Sequence, residues 1–384
     1  MNYRKLLSTL AASVALAATS AAAQAQIKIG IISSNTGPVA LIGIPQKNTV
    51  PLLPKEIGGQ PVQYIAYDDG SDPSQTVTLV KKLITEDKVD AIIGPSSSPN
   101  AMAALDFVAE AKMPLLAPVG TIAIVLPMDD KRKWVFKTTQ NDGLVADKLV
   151  GHMVKHGVKT LGFIGTGDTF GETWYGVMQD KLKGTDIKIV ANERFKRPDT
   201  SVTGQALRVL AAKPDAVLIA APGGPSVLPE ATLKDMNYQG TFYQTHGAAL
   251  NEFLKLGGKK VEGTIVAGSV MLVPDQAPDS NPAKKVALEY INAYKAMHGS
   301  EPATFGGNMY DAGLLLQHAI PEALKSAKPG TEEFRVALRD ALEKVKDMPG
   351  TQGIYNMTPE DHSGFDERGV ELLTVKDGAW QLIQ

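Results

Sequence analysis

Five short segments gather the residue types that could hold a small polar molecule. Ile93-Gly94-Pro95-Ser96-Ser97-Ser98-Pro99 sets serine hydroxyls beside a Ser-Pro step, the pattern of an N-cap followed by proline at the first helical position. A helix start leaves backbone N–H groups unpaired, and those groups with neighbouring hydroxyls suit a carboxylate or phosphate oxygen. Ala117-Pro118-Val119-Gly120-Thr121 is a second such segment, with Thr121 able to donate. Gly165-Thr166-Gly167-Asp168-Thr169-Phe170-Gly171, Ala221-Pro222-Gly223-Gly224-Pro225-Ser226 and Gln244-Thr245-His246-Gly247 complete the set. Singly, a Ser or Thr after a strand caps the next helix; several at corresponding places in two halves of a chain point to a ligand.

Catalytic chemistry finds little support. The chain has no G-x-S-x-G elbow, Walker A loop or H-E-x-x-H pair. His152 and His156 stand one helical turn apart without a third metal ligand nearby, so a solvated helix face is expected. Asp68 and Asp69 are adjacent in a strand and so point to opposite faces, which favours a turn-forming role over a paired acid and base. Gly165-x-Gly167-x-x-x-Gly171, with Glu193 further on, is similar to a dinucleotide fingerprint. However, Phe170 replaces the third glycine and Asp168 would set a negative charge against the pyrophosphate. The expectation is a binding protein with no catalytic residue, cofactor or metal.

These segments need a scaffold that brings strand ends together. Short β-rich runs alternate with amphipathic stretches. The runs are Ile27–Ser33, Val62–Tyr67, Ala91–Gly94, Leu115–Ala117, Thr160–Gly165, Ile187–Ala191, Ala216–Ala221, Thr241–Gln244 and Thr264–Gly268. Ser74–Glu86, Asn100–Ala111, Leu144–His156 and Thr203–Ala212 carry helical periodicity between them. Such alternation predicts parallel sheets covered on both faces, with ligands beyond the carboxyl ends of the strands. The pattern appears twice, over 27–117 and 158–244, which implies two similar lobes with a cleft between them. Trp134–Asn141 reads as a connecting strand. Helices dominate Pro282–Lys346, and a terminal hairpin over Gly369–Val375 and Ala379–Ile383 turns at Asp377-Gly378.

The bulk properties agree. The 384 residues include no cysteine and carry a net charge of -2 with scattered lysines and arginines, which favours neither a disulfide scaffold nor a nucleic-acid surface. Arg4 and Lys5 precede an apolar run from Leu6 that ends at Ala23-Gln24-Ala25. A basic start, a short apolar stretch and a small-residue site predict a secretory leader cleaved near Ala25 and a periplasmic mature protein of roughly 360 residues without a lipid anchor.

Taken together, several stretches resemble the Leu/Ile/Val-binding family, the class I periplasmic solute-binding proteins of ABC importers. They are Ile27-Lys-Ile-Gly-Ile, Thr36-Gly-Pro38, Tyr67-Asp68-Asp69, Asp72-Pro73, Ile92-Ile-Gly94-Pro95-Ser-Ser-Ser98, Phe136-Lys137-Thr138, Phe170-Gly171-Glu172 and Tyr310-Asp311-Ala312. The resemblance runs in order through nearly the whole mature chain. It implies an α/β fold of two Rossmann-like lobes with parallel sheets, joined by a three-crossover hinge and closing by hinge motion. It places residues 27–140 plus 250–348 in the first lobe and 141–249 plus 349–384 in the second. It implies a monomer that serves a permease and an ATPase on separate chains, with no nucleic-acid partner.

The resemblance also implies the pocket. A ligand carboxylate would meet Ser98, with Ser97 beside it, and the backbone and hydroxyl groups at Val119, Gly120 and Thr121, while Ile42 would lie near the side-chain pocket. In the second lobe Phe170 replaces the family's overlying tyrosine, a second tyrosine falls at Gly223-Gly224, and the acid that pairs with an amino-acid ammonium falls at His246, after Thr245. A buried ammonium without an acceptor is costly, so these departures point to a carboxylate without an amine, an aromatic acid or 2-oxo acid, with the two glycines making room for a bulky group. Branched-chain amino acid binding is the alternative within the family; a secreted enzyme or a ligand-sensing regulator is the alternative outside it.

Overall fold

The computed structural model describes residues 26–383, so the expected leader lies outside the described residues. Two sheets organise the molecule. The first runs in the order Glu56–Ile57, Gln60–Asp68, Ile27–Ser33, Ala91–Ile93, Leu115–Ala117, Val135–Lys137 and is parallel apart from the short Glu56–Ile57 edge. The second runs Ala379–Leu382, Glu371–Lys376, Ile265–Gly268, Thr241–Gln244, Ala216–Ala220, Thr160–Thr166, Lys188–Phe195, with only the terminal hairpin antiparallel. The five parallel strands of each sheet follow the same winding, in which the second strand lies outside the first and the third returns to its other side. That reversal creates a crevice at the carboxyl ends of the first and third strands.

The strands form where apolar residues are continuous enough to be buried on both faces. Ala91–Ile93, Leu115–Ala117 and Ala216–Ala220 are wholly buried, as central parallel strands between two helix layers must be. Lys188–Phe195 is an edge strand, and its alternating exposure tolerates charges at Glu193 and Arg194. This explains why it extends past Ala191, where the β-rich run ends in sequence. The helices start on side-chain caps: Asp72 accepts from Ser74 N, Asn141 from Gly143 N, and Asp168 from Phe170 N and Gly171 N. Gly171 is required by packing, because a Cβ there would collide with the Thr166 carbonyl.

The lobe boundaries differ from expectation after residue 250. Ile265–Gly268 pairs with Thr241–Gln244, and Phe253 and Val261 pack with Val266, Leu373 and Trp380. The stretch 250–268, expected in the first lobe, therefore completes the second: its buried apolar strand takes Thr241–Gln244 as its parallel neighbour and covers that sheet's edge. Conversely, Tyr355, Met357 and Phe365, expected in the second lobe, join the core of the first beside Ile27, Ile29, Leu316 and Phe334. The chain thus passes between lobes near Lys137–Asp142, after Gly268 and before Glu371. Side chains tie these passages together. Gln140 Nε2 donates to Gln352 Oε1 (3.3 Å) and Gly369 O (3.2 Å), and Asn308 Nδ2 donates to Thr138 O (2.7 Å).

Among the described residues no helix is long and apolar enough to cross a membrane.

Candidate ligand-binding site

A cavity of about 20 Å³ lies between the lobes, lined by Ile42, Ser97, Ser98, Val119, Gly120, Phe170 and His246, all expected from sequence. Ser96, Thr139, Arg197 and Phe305 join them. Most of these follow the carboxyl end of a parallel strand, where the winding opens its crevice. The volume suffices for about one water molecule, because the two walls approach closely. A Cβ on Gly120 would lie 2.5 Å from the Phe170 ring and 2.9 Å from His246 Nε2, so the missing side chain lets the first wall close on the second.

The hydrogen-bonding groups of the first wall are largely satisfied from within. Ser96 Oγ donates to Gln46 Oε1 (2.5 Å) and accepts from Ser34 N (2.9 Å). Ser97 Oγ donates to Asn100 Oδ1 (2.6 Å), and Asn100 Nδ2 donates to Asp69 Oδ2 (2.8 Å). Asp69 also accepts from Ser34 Oγ (2.6 Å) and Thr76 Oγ1 (2.8 Å), while Asp68 accepts from Asn35 N and Gly70 N. Both aspartates thus brace loops, the role expected of them. The helix begins one residue earlier than Ser-Pro suggests: Ser97 holds the N-cap position and Ser98 opens the helix over Ser98–Glu110. Ser98 Oγ accepts from Thr121 N at 3.3 Å.

The second wall is charged and unsatisfied. Arg197 Nε donates to Asp168 Oδ2 at 2.5 Å, and its side chain is only 10% exposed. Its Nη1 and Nη2 are buried with no protein acceptor. Burial pushes the Asp168 carboxyl up, but the Arg197 charge and hydrogen bonds from Arg197, Thr166 and Gly171 outweigh this and hold it below the usual aspartate range. Neither ring nitrogen of His246 has a partner. Its Nε2 stands 4.0 Å from Asp142 Oδ1, too far for a hydrogen bond. Burial, and then the Lys137 charge, push the imidazole down to about 3, so it is neutral. Asp142 Oδ2 accepts from Ile122 N (2.8 Å), whereas Oδ1 is buried without a partner. Burial raises this carboxyl despite the opposing Lys137 charge.

Four expected residues fall elsewhere. Thr121 is buried beside the cavity, and its Oγ1 meets Thr173 Oγ1 across the cleft at 2.9 Å. Thr245 caps the next turn by accepting from Gly247 N (3.3 Å). Gly223 and Gly224 do not make room for a bulky group: Cβ atoms there would lie 3.4 Å from Ile42 and 3.3 Å from Leu41, so the glycines admit first-lobe side chains instead. Gly223 also has φ +67°, which favours glycine.

Arg197 was missed because it follows an edge strand with no Gly- or Ser-rich junction. The available signal was two basic residues before Pro198, directly after a strand that sequence ends four residues too soon. The remaining candidates have structural roles. His152 stacks on His156 with ring centroids 3.9 Å apart and meets Tyr243 Oη through Nδ1 at 2.9 Å.

A model of the periplasmic binding protein family matches residues 26–379. Leu/Ile/Val-binding protein BraC3 of Rhizobium johnstonii is 27% identical over 347 residues, covering 85% of this chain and 90% of that protein. The structure of an extracellular ligand-binding receptor from Rhodopseudomonas palustris HaA2 matches with a TM-score of 0.91 and 45% identity, covering 94% of this chain and all of the other. An ABC-transporter solute-binding protein from R. palustris, solved in complex with benzoate, shares the fold at a TM-score of 0.80 and 19% identity, covering 93% of this chain and 95% of its own.

Proposed function

The chain belongs to the periplasmic binding protein family, and from that premise we propose that it captures a small carboxylate lacking an amine, an aromatic or 2-oxo acid, for an ABC importer. The family supplies the coarser statement: a solute-binding component working with a permease and an ATPase. The ligand class rests on one observation, the pair of unpartnered guanidinium nitrogens that Arg197 holds at the cavity. A desolvated guanidinium recognises a carboxylate through two parallel N–H donors.

An α-amino acid would need an acceptor for its ammonium on the same wall. Asp168 is committed to Arg197 and to the helix start. Asp142 has a spare oxygen, but the Lys137 charge reaches the same place and disfavours another cation there. The likeness to the benzoate-binding neighbour extends to the fold and supports only that such a cleft can enclose an aromatic acid. The cleft surfaces work as a pair: ligand contacts made to both lobes favour the closed form by their differential affinity for it. The protein acts as a monomer, with its leader removed near Ala25, and turns over nothing.

Calorimetry and thermal shift on the mature chain, refolded to strip carried-over ligand, test the reading. Benzoate, hydroxybenzoates, benzoylformate and aliphatic 2-oxo acids are compared with leucine, isoleucine and valine. At a hundred times its dissociation constant a ligand adds about 2.7 kcal/mol of stability. Stabilisation by amine-free acids alone is expected. Stabilisation by the branched-chain amino acids alone would return the protein to amino-acid capture.

A further inference from the structure

Building on the amine-free acid reading, we propose that the cleft holds its ligand in one polarity: the carboxylate on Arg197 of the second lobe, and a hydroxyl at the far end between His246 and Asp142. This reverses the orientation that the family resemblance implies, with the carboxylate at Ser98 and Thr121. It narrows the ligand to a hydroxylated acid whose two polar ends are separated by an apolar body.

Three observations carry it. First, two polar groups of the family seat already have protein partners. The Thr121 N–H is directed to Ser98 Oγ, and Thr121 Oγ1 is engaged with Thr173. Second, Arg197 is a prepared carboxylate site. Its Nε is locked to Asp168, which is itself held by Thr166 Oγ1 at 3.0 Å and Phe170 N at 2.9 Å. That leaves the other two nitrogens buried, oriented and unpaired. Arg197 and Ser97 also line a neighbouring cavity of about 370 Å³ that reaches exposed Pro38, Lys196 and Pro198, so Arg197 marks the outer end of the site.

Third, the inner end suits a hydroxyl. His246 Nε2 and Asp142 Oδ1 are both buried, both without a partner, and 4.0 Å apart. An oxygen about 2.8 Å from each completes a triangle on that base. A hydroxyl there donates to the carboxylate and accepts from the imidazole N–H. A keto oxygen could only accept, leaving Asp142 Oδ1 unpaired, and a second carboxylate would face Asp142 as a like charge. The Phe170, Ile42 and Phe305 side chains line the cavity between these ends and enclose the apolar body.

Calorimetric titrations with 4-hydroxybenzoate, its carboxamide and benzoate separate the two ends. In the wild type the carboxamide is expected to bind at least 100-fold more weakly than the acid, and benzoate at least 10-fold more weakly than 4-hydroxybenzoate. Arg197→Ala should collapse the acid-over-amide preference to a few-fold and keep the hydroxyl preference. His246→Ala should do the reverse, so each variant's retained preference also shows that it is folded. If Arg197→Ala keeps the acid-over-amide preference while Ser98→Ala abolishes it, the carboxylate sits in the family seat and the polarity is wrong. Benzoate binding as tightly as 4-hydroxybenzoate would remove the inner hydroxyl. Binding of leucine with no binding of any acid would instead overturn the underlying ligand reading.

Discussion

The two walls of the cleft are built by the same winding and differ in how far their buried polar atoms are paired. On the first wall, Ser96, Ser97, Asn100 and Asp69 use one another's hydrogen-bonding capacity, so the surface is preorganised. On the second, Arg197, His246 and the adjoining Asp142 keep buried polar atoms unpaired. Buried polar groups are nearly always paired in folded proteins, so the unsatisfied wall is where a ligand has most to contribute. Under the proposed ligand reading, shape and closure fall to the first wall and chemical selection to the second.

The severest test of that division is Gly120→Val. Its side chain would strike Phe170 and His246 only when the walls meet. Affinity for the captured acid should fall 100-fold or more in calorimetry, with little change in the unfolding temperature of the ligand-free protein. A large loss of ligand-free stability would show instead that Gly120 matters to the first lobe alone. Next, Asp168→Ala should weaken acid binding about tenfold by releasing Arg197, and should cost about 1 kcal/mol of stability as a lost helix cap. Asp168→Asn retains a capping oxygen and should recover most of the stability but not the affinity. Recovery of both would deny the aspartate any part in orienting the arginine.

The second lobe also keeps an awkward acid away from the cleft. Glu230 is buried among Gln244 and Thr264, and burial raises its carboxyl to about 7, against the hydrogen bonds that these two donate. A folded-state pKa above the unfolded one means that the folded protein binds more protons between roughly pH 4.5 and 7. Stability from this group therefore falls as pH rises through that window, by on the order of 3 kcal/mol at most. Glu230→Gln should flatten the difference in denaturant stability between pH 5 and pH 8; an unchanged difference would place the titration elsewhere. The smallest effect is expected from Thr173→Val, which removes the cross-cleft contact to Thr121. A loss of one neutral hydrogen bond, about 1 kcal/mol, should weaken ligand binding a few-fold.

Much of this was legible without coordinates. Alternating β-rich and helical segments, repeated in two halves, lead directly to two parallel sheets, the Gly/Ser/Thr junctions lead to six residues that line the cavity, and the family resemblance adds Ile42. Those signals are local: a strand's apolar run, a cap, a turn. Arg197 escaped because edge strands admit charge and so blur their own ends in sequence. Gly223 and Gly224 were located but misjudged, since an absent side chain looks like space until the opposite wall is seen to fill it. Residues 250–268 were misassigned because a four-residue buried strand does not declare which sheet will pair with it.

The sequence by itself determined the fold class, the lobe repeat and the strand ends from which a site could be built, because backbone propensity and apolar periodicity act over a few residues at a time. Only the tertiary structure decided which polar atoms at those strand ends remain unpaired. That depends on partners such as Asp168 for Arg197 and Asp142 beside His246, 29 and 104 residues apart along the chain, and on how closely two separately folded walls approach.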